Sequence, residues 1–419
     1  MEFVNENQDQ LEKRESGLYE TEGDVRSAYF RDYNRILHSN AYRRLKHKTQ
    51  VFFNINNDHI CTRMEHVAHV GAVSHSIAVG LGLNTELTSA ISCGHDLGHA
   101  PFGHQGETVL NDIMNEYLTE EYRDRVFGKD NKKCFWHEKN GLRFVDSIEL
   151  LKDPYGTQYN LNLTYAVRDG IVSHCGEIDE NSLIPRKERF NLSEFKKPGQ
   201  FMPCTWEGCA VKISDKIAYL GRDIEDALTL NILDHENKEQ LRQIALKYCH
   251  RETLNTTGIM HSLIVDICQN STPDKGICLS EEKLQLFNEI KNYNYETIYK
   301  SSKFNTYKSY VELMLNSIFK KLYDAYEQDR TITKLIEMYG KTYPKLTKTF
   351  CLWLGKYCVV KMSQQLTDEW RTQLGSLANE KIYGGLCNRD IYTQAIVDYI
   401  SGMTDAFAIM IFNELLSFS

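Results

Sequence analysis

The chain has 419 residues, with 49 Lys+Arg against 57 Asp+Glu and a formal net charge of −8. That acidic balance excludes broad, sequence-independent nucleic-acid binding by the whole surface, though a local basic pocket for phosphate stays open. With 42% hydrophobic and 25% charged residues the chain is not of the disordered class. No apolar run reaches the roughly 18–20 residues of a membrane span.

The opening MEFVNENQDQLEKRESG is polar and acidic and carries no signal-peptide pattern. Twelve cysteines run from Cys61 to Cys387 with no CxxC, so they read as reduced thiols in a cytoplasmic setting. From 61 to 80, Val70, Val73 and Ile77 recur at helical spacing. At ~100° per residue His66 falls within about 40° of that stripe, and His75 points the opposite way. His66 alone fits a hydrogen-bonded core histidine as well as a ligand. A second helix is expected from Asn84, a good N-cap, with Leu87, Ala90, Ile91 and Gly94 on one face. A third is expected over 107–118. Pro185, Pro198 and Pro203 mark 177–205 as a long loop or surface excursion. A fourth helix over 209–230 carries Ile213, Ile217, Leu220, Ile224 and Leu228 on one face. Asp215, Tyr219, Arg222, Asp223 and Asp226 lie roughly opposite, either as a solvated face or as the wall of a cleft. Helical patterning continues through 234–419, and the apolar end reads as a buried helix. The expected fold is all-α with few or no strands, in one compact body: a catalytic core over 1–230 and further C-terminal helices over 231–419.

The densest chemistry is GHDLGHAPFGHQGE, which holds three histidines, an Asp, a Glu and four glycines in 14 residues. A polar surface loop is the plain alternative. Phe102 and the glycines instead suggest backbone held in tight turns. The His95/Asp96 pair directly follows an apolar helix, and at a helix end two neighbours can turn toward one point. His66, His95, Asp96 and Asp215 would make a mixed N/O set suited to Mn²⁺, Fe²⁺, Co²⁺ or Mg²⁺.

In their order H…HD…D these residues resemble the HD superfamily of metal-dependent phosphohydrolases. More narrowly the chain is similar to its deoxyguanosine-triphosphate triphosphohydrolase branch. The likeness runs through RDYNRILHSNAYRRLKHKTQVF (31–52), TRMEHVAHV (62–70), HDLGHAPFGHQGE (95–107), FWHEKNGLR (135–143), LNLTYAVRDGIVSH (161–174), SDKIAYLGRDIEDAL (214–228) and DYISGMTDAFA from 398. It implies an HD-type helical core and hydrolysis of a dNTP, dGTP favoured, to deoxynucleoside and inorganic triphosphate. By position His66, His95, Asp96 and Asp215 match the metal ligands, and His104 with Glu107 the catalytic pair. Arg63, Lys216 and Tyr219 match residues that hold the triphosphate. Gln50 and Asp223 match contacts to the sugar 3′-hydroxyl, and Val51 matches packing at the 2′ position. His99 and His137 match further active-site histidines. The resemblance also implies a homo-oligomer and a possible nucleotide effector.

The proposed chemistry agrees with elementary requirements. Cleavage at O5′ expels an alkoxide that needs a proton, which a histidine near neutral pKa can give. Glu107, three residues after His104, can orient that ring and favour its charged form. Three positions depart from the family: Glu138 stands where Asn is frequent, Arg222 where His or Asn is common, and Ala406 where Arg is usual. The basic cluster Arg43, Arg44, Lys46 and Lys48 reads as a solvated helix face or as a nucleotide or subunit contact. Two other functions fit parts of the pattern: an HD phosphohydrolase for another nucleotide, and a silent nucleotide- or single-stranded-DNA-binding protein.

Overall fold

The structure is a computed structural model that describes residues 2–17, 23–52, 59–175, 181–249, 255–360, 366–375 and 381–417. The first four residues of the expected 177–205 loop lie outside these, as do the last two of the chain. Among the described residues there are nineteen α-helices. The only sheet among them is an antiparallel hairpin of two-residue strands, Leu151–Lys152 and Gln158–Tyr159. The fold is all-α. No single described helix is long and apolar enough to cross a membrane, and the described cysteines are free thiols.

The chain divides into two compact units, each built from two separate stretches: 1–97 with 161–308, and 98–160 with 309–419.

In the first unit the helices Arg63–Leu81 and Trp206–Thr229 pack together, flanked by Thr85–Gly94 and Thr256–Asn270. Their shared core includes Val73, Ile77, Ile217, Leu220, Ile224 and Leu263. Ile217 and Leu220 are fully buried, each worth about 1.5–3 kcal/mol of transfer free energy. Local signals set the helix ends. Thr62 and Glu65 form a reciprocal capping box, and Gly82 closes the same helix at φ 69°. The Asn84 side chain accepts from the Glu86 and Leu87 amides, both at 3.0 Å. The fourth helix begins at Trp206, earlier than the apolar pattern alone suggests, because Thr205 Oγ1 accepts from the Gly208 amide at 3.0 Å. Two glycines let Thr85–Gly94 and Tyr165–Ser173 approach closely. A Cβ on Gly94 would lie 2.8 Å from Ile171, and one on Gly170 would lie 2.6 Å from Ile91. Residues 181–205 contain one 3₁₀ turn, Leu192–Glu194. They are tied down by the buried side chains of Leu183, Leu192 and Phe195 and by an Arg186–Asp169 ion pair.

In the second unit Gly103–Tyr117 packs against Arg389–Ser401, which also meets Pro344–Tyr357. The third expected helix therefore starts at Gly103, not at 107. Phe102 sits in the left-handed region at φ 65° with no side-chain cap of its own. Its amide instead donates to Asp405 Oδ1 at 2.8 Å. That carboxylate, 303 residues away in sequence, serves as the helix cap and complements the positive end of the helix dipole. The helix His137–Arg143 is anchored by an Arg143–Asp398 ion pair of 2.6 Å. Gln394 and Tyr383 also donate to the Asp398 carboxylate.

Candidate active site

The first unit gathers His66, His95, Asp96 and Asp215. One ligand atom from each of His66, His95 and Asp96 lies within 4.8 Å of the others. His66 Nε2 is 2.9 Å from Asp215 Oδ1, and His95 Nε2 is 3.8 Å from the same oxygen. His95 and Asp96 do turn toward one point: His95 Nε2 is 3.5 Å from Asp96 Oδ1. His66, His95 and Asp96 are all buried.

The tautomer of His95 follows from its neighbour. Nδ1 lies 2.7 Å from the Ser92 carbonyl, which can only accept, so Nδ1 carries the proton. Nε2 of the neutral ring is then a lone pair, and it has no hydrogen-bond partner among the described residues. A buried nitrogen aimed between two carboxylates, with its other nitrogen fixed by a carbonyl, is the arrangement of a metal-ligating histidine. The residues present fit a divalent cation. Two imidazoles and two carboxylates form a hard-to-borderline set without thiolate. Burial works against a charged His66 ring, but the hydrogen bond to Asp215 and the charges of Asp215 and Asp96 raise its pKa overall. Burial likewise opposes ionised Asp215, yet His66 holds it well below the usual carboxylate range.

Arg63 does something position in the sequence does not reveal. Its Nη1 donates to Asp96 Oδ2 at 2.8 Å and its Nη2 to the Gln50 carbonyl at 3.3 Å. Arg63 is 1% exposed, so it is a buried partner that orients the Asp96 carboxylate. Lys216 is buried one residue beyond Asp215. Val51 and Tyr219 pack half-buried against the apolar core of this unit.

The polar side of the Trp206–Thr229 helix is not a solvated face, since Asp223 and Asp226 are 1% and 3% exposed. Burial raises Asp223 to about 7 and Asp226 to about 6. Asp226 accepts from the Cys61 amide at 3.1 Å and pairs with Arg222 at 3.3 Å, a structural clamp. Asp223 Oδ2 accepts from the Tyr299 hydroxyl. Its Oδ1 is buried without a partner among the described residues, as is Gln50 Oε1.

The second unit gathers His99, His104, Glu107 and His137, whose ligand atoms lie within 4.8 Å of one another. The His99 and His137 rings stack with centroids 3.7 Å apart. Gly98 makes this possible, because a Cβ there would lie 2.1 Å from the His137 carbonyl. Asn140 Nδ2 also donates to the Gly98 carbonyl at 2.7 Å. Glu107 Oε2 is 2.9 Å from His137 Nδ1, and its Oε1 accepts from Lys133 Nζ at 2.9 Å. The ring directly held by Glu107 is thus that of His137, whereas the expectation was His104. Burial opposes the Glu107 charge, but His137, His104 and Lys133 together hold its pKa well below the ordinary value.

Lys133, Tyr299, Asp405 and His174 join the expected residues. His174 is fully buried, its Nδ1 lies 2.7 Å from the Ile171 carbonyl, and its ring stands edge-on to His95 at 5.0 Å. His174 and Asp405 fall inside segments that carry the family likeness, whereas nothing in the local sequence marks Lys133 or Tyr299. The basic cluster at 43–48 is not one solvated face: Arg43 and Lys46 are exposed, but Lys48 is buried.

No family model matches the chain. Individual relatives do. A deoxyguanosinetriphosphate triphosphohydrolase-like protein of Rickettsia bellii is 30% identical, over 98% of this chain and 97% of its own length. One of Caldanaerobacter subterraneus subsp. tengcongensis is 32% identical, over 79% of this chain and 82% of its own. One of Rickettsia canadensis is 29% identical over 97% of this chain and 98% of its own. A likeness that spans both units, joined to the convergent H…HD…D side chains, places this chain in the deoxyguanosinetriphosphate triphosphohydrolase-like family.

Proposed function

We propose that the protein is a metal-dependent dNTP triphosphohydrolase, dGTP favoured, that releases a deoxynucleoside and intact inorganic triphosphate. The observation that carries this reading is the buried convergence of His66, His95 and Asp96 with Asp215 in a chain of this family. These four would hold a divalent ion, Mn²⁺, Mg²⁺, Fe²⁺ or Co²⁺. Such an ion supplies Lewis-acid polarisation of a phosphoryl oxygen and a positioned water.

The remaining steps belong to side chains. Arg63 keeps Asp96 oriented through its 2.8 Å contact. Arg63 and Lys216 would neutralise the triphosphate, a polyanion that an acidic protein otherwise repels, and Tyr219 would help hold it by hydrogen bonding. The orphaned oxygens of Asp223 and Gln50 suit a donor such as the 3′-hydroxyl, and Tyr299 fixes Asp223 for that contact. Val51 would pack at the 2′ carbon. His104 would protonate the departing O5′. Glu107, held by Lys133 and His137, supplies a fixed negative charge that favours the imidazolium form of His104. His99 and His137 would complete the set. The family resemblance supports a homo-oligomer and a nucleotide effector, the cysteine pattern suits a cytoplasmic setting, and the basic cluster at 43–48 is what would favour single-stranded DNA as a further partner.

The test is ³¹P NMR of products from the four dNTPs, alone and in pairs, with Mn²⁺ or Mg²⁺. Intact triphosphate is expected, most rapidly from dGTP or from a pair in which one nucleotide activates hydrolysis of the other. Pyrophosphate or monophosphate as the first product rejects the assigned bond. Activity on monophosphates alone points to a different HD phosphohydrolase, and binding without turnover points to a silent site.

A further inference from the structure

His99, His104, Glu107 and His137 differ in chemistry from the H…HD…D set. They offer three imidazoles and one carboxylate, all within the second unit, with His99 and Glu107 buried and His104 exposed. We propose that these four form a second metal site, selective for Zn²⁺-like ions, whose occupation inhibits the enzyme. The inhibitory consequence rests on the role assigned above to His104, whereas the site itself does not.

The donor composition decides the ion. Three imidazoles and a carboxylate suit borderline-soft Zn²⁺, which also outranks Mn²⁺ and Mg²⁺ for nitrogen ligands. Geometry asks for a small rearrangement. Tetrahedral zinc holds its ligand atoms about 3.3 Å apart, and here they lie within 4.8 Å. The set must contract by up to about 1.5 Å, roughly what one side-chain rotation provides. His104 is the exposed member of the set, in the first turn of Gly103–Tyr117, and is the side chain that would make that movement. Glu107 lies three residues further along the same face of that helix. The partner positions are already constrained: His137 by Glu107 Oε2, and His99 by the close approach at Gly98. His137 Nδ1 already lies 2.9 Å from Glu107 Oε2, near the separation of two ligand atoms around zinc, so coordination would use Nδ1, with the ring proton carried on Nε2. Lys133 competes with the ion, because its ammonium holds Glu107 Oε1 at 2.9 Å. A zinc ion on the His104 lone pair would deny that ring the proton it gives to the leaving group.

Metal content of full-length protein after equilibrium dialysis against Zn²⁺ tests the proposal without substrate. Wild type is expected to retain two equivalents and Asp215→Ala one. On the Asp215→Ala background, His104→Ala with His137→Ala is expected to remove that last equivalent. Co²⁺ bound to Asp215→Ala should give the intense visible absorption of a four-coordinate ion. Lys133→Met, at a partly exposed position outside the donor set, removes a competitor worth about 0.2–1 kcal/mol. It should tighten Zn²⁺ binding and lower the inhibitory concentration by about 1.4- to 5-fold. The proposal is overturned if Asp215→Ala retains no zinc, if its zinc survives loss of both histidines, or if Lys133→Met weakens binding. Triphosphate release by the Mn²⁺-loaded enzyme remains a separate readout, so failure of this site and failure of the proposed reaction are distinguishable.

Discussion

Asp405→Ala tests how the His104 helix is positioned. The Asp405 carboxylate is 7% exposed and accepts from the buried Phe102 amide at 2.8 Å. A hydrogen bond to a charged group contributes about 1.5–3 kcal/mol, and its loss leaves a buried donor unsatisfied. The same carboxylate supports Phe102 at φ 65°, a conformation that costs a non-glycine residue about 1–2 kcal/mol, so the strain loses its restraint. The two effects overlap because one bond serves both, and about 2 kcal/mol is the expected loss. For a unit of this size that is a fall in Tm of about 4–8 °C. Thermal unfolding followed by circular dichroism measures it, with kcat and Mn²⁺ content recorded on the same sample. Turnover should fall because the helix that carries His104 and Glu107 is no longer capped. Mn²⁺ content should hold, because the four proposed ligands lie in the other unit. An unchanged Tm, or loss of Mn²⁺ with turnover intact, would refute this reasoning.

Asp215→Ala should lose Mn²⁺ and activity together, and chelation of wild type should reproduce the loss of activity, with re-addition of Mn²⁺ restoring it. His104→Ala should keep Mn²⁺ while kcat drops about 10²–10⁴-fold, the usual contribution of general acid catalysis; a drop of less than tenfold assigns the proton to another group. Arg63→Met leaves Asp96 without its guanidinium partner and should weaken Mn²⁺ binding about 10–100-fold by titration, the cost of losing an orienting contact. Asp223 gives a pH signature. Its folded pKa is raised by burial to about 7, so its contribution to stability is present at low pH and is lost as pH rises from about 4 to 7. Asp223→Asn should therefore gain in Tm relative to wild type between pH 5 and pH 8, and a gap that is constant with pH would contradict the raised pKa.

Much of the helical framework is legible from short-range chemistry. Asn84 caps where its side chain predicts, and the Val70, Val73 and Ile77 stripe buries together with His66. The ordered H…HD…D residues bring the proposed ligands together because each sits at a place that local rules can locate: a helix interior, a helix end, and a polar helix face. What was hidden is non-local. The start at Gly103 depends on Asp405, and glycines at 103 and 106 are poor predictors of a helix. The charged side of Trp206–Thr229 looks solvated in a helical projection. It is buried because Cys61 and Tyr299 arrive from distant segments. Glu107 is three residues from His104, yet its hydrogen bonds go to His137 and Lys133, since the loop before His137–Arg143 folds back on it. The interleaving of 1–97 with 161–308, and of 98–160 with 309–419, has no compositional signal, because no linker separates the stretches.

Anomalous diffraction from crystals grown with Mn²⁺ gives the most direct test. A single strong Mn²⁺ peak is predicted within about 2.0–2.3 Å of His66 Nε2, His95 Nε2 and carboxylate oxygens of Asp96 and Asp215. Well-ordered electron density for those four side chains with no peak between them at saturating Mn²⁺ would contradict it.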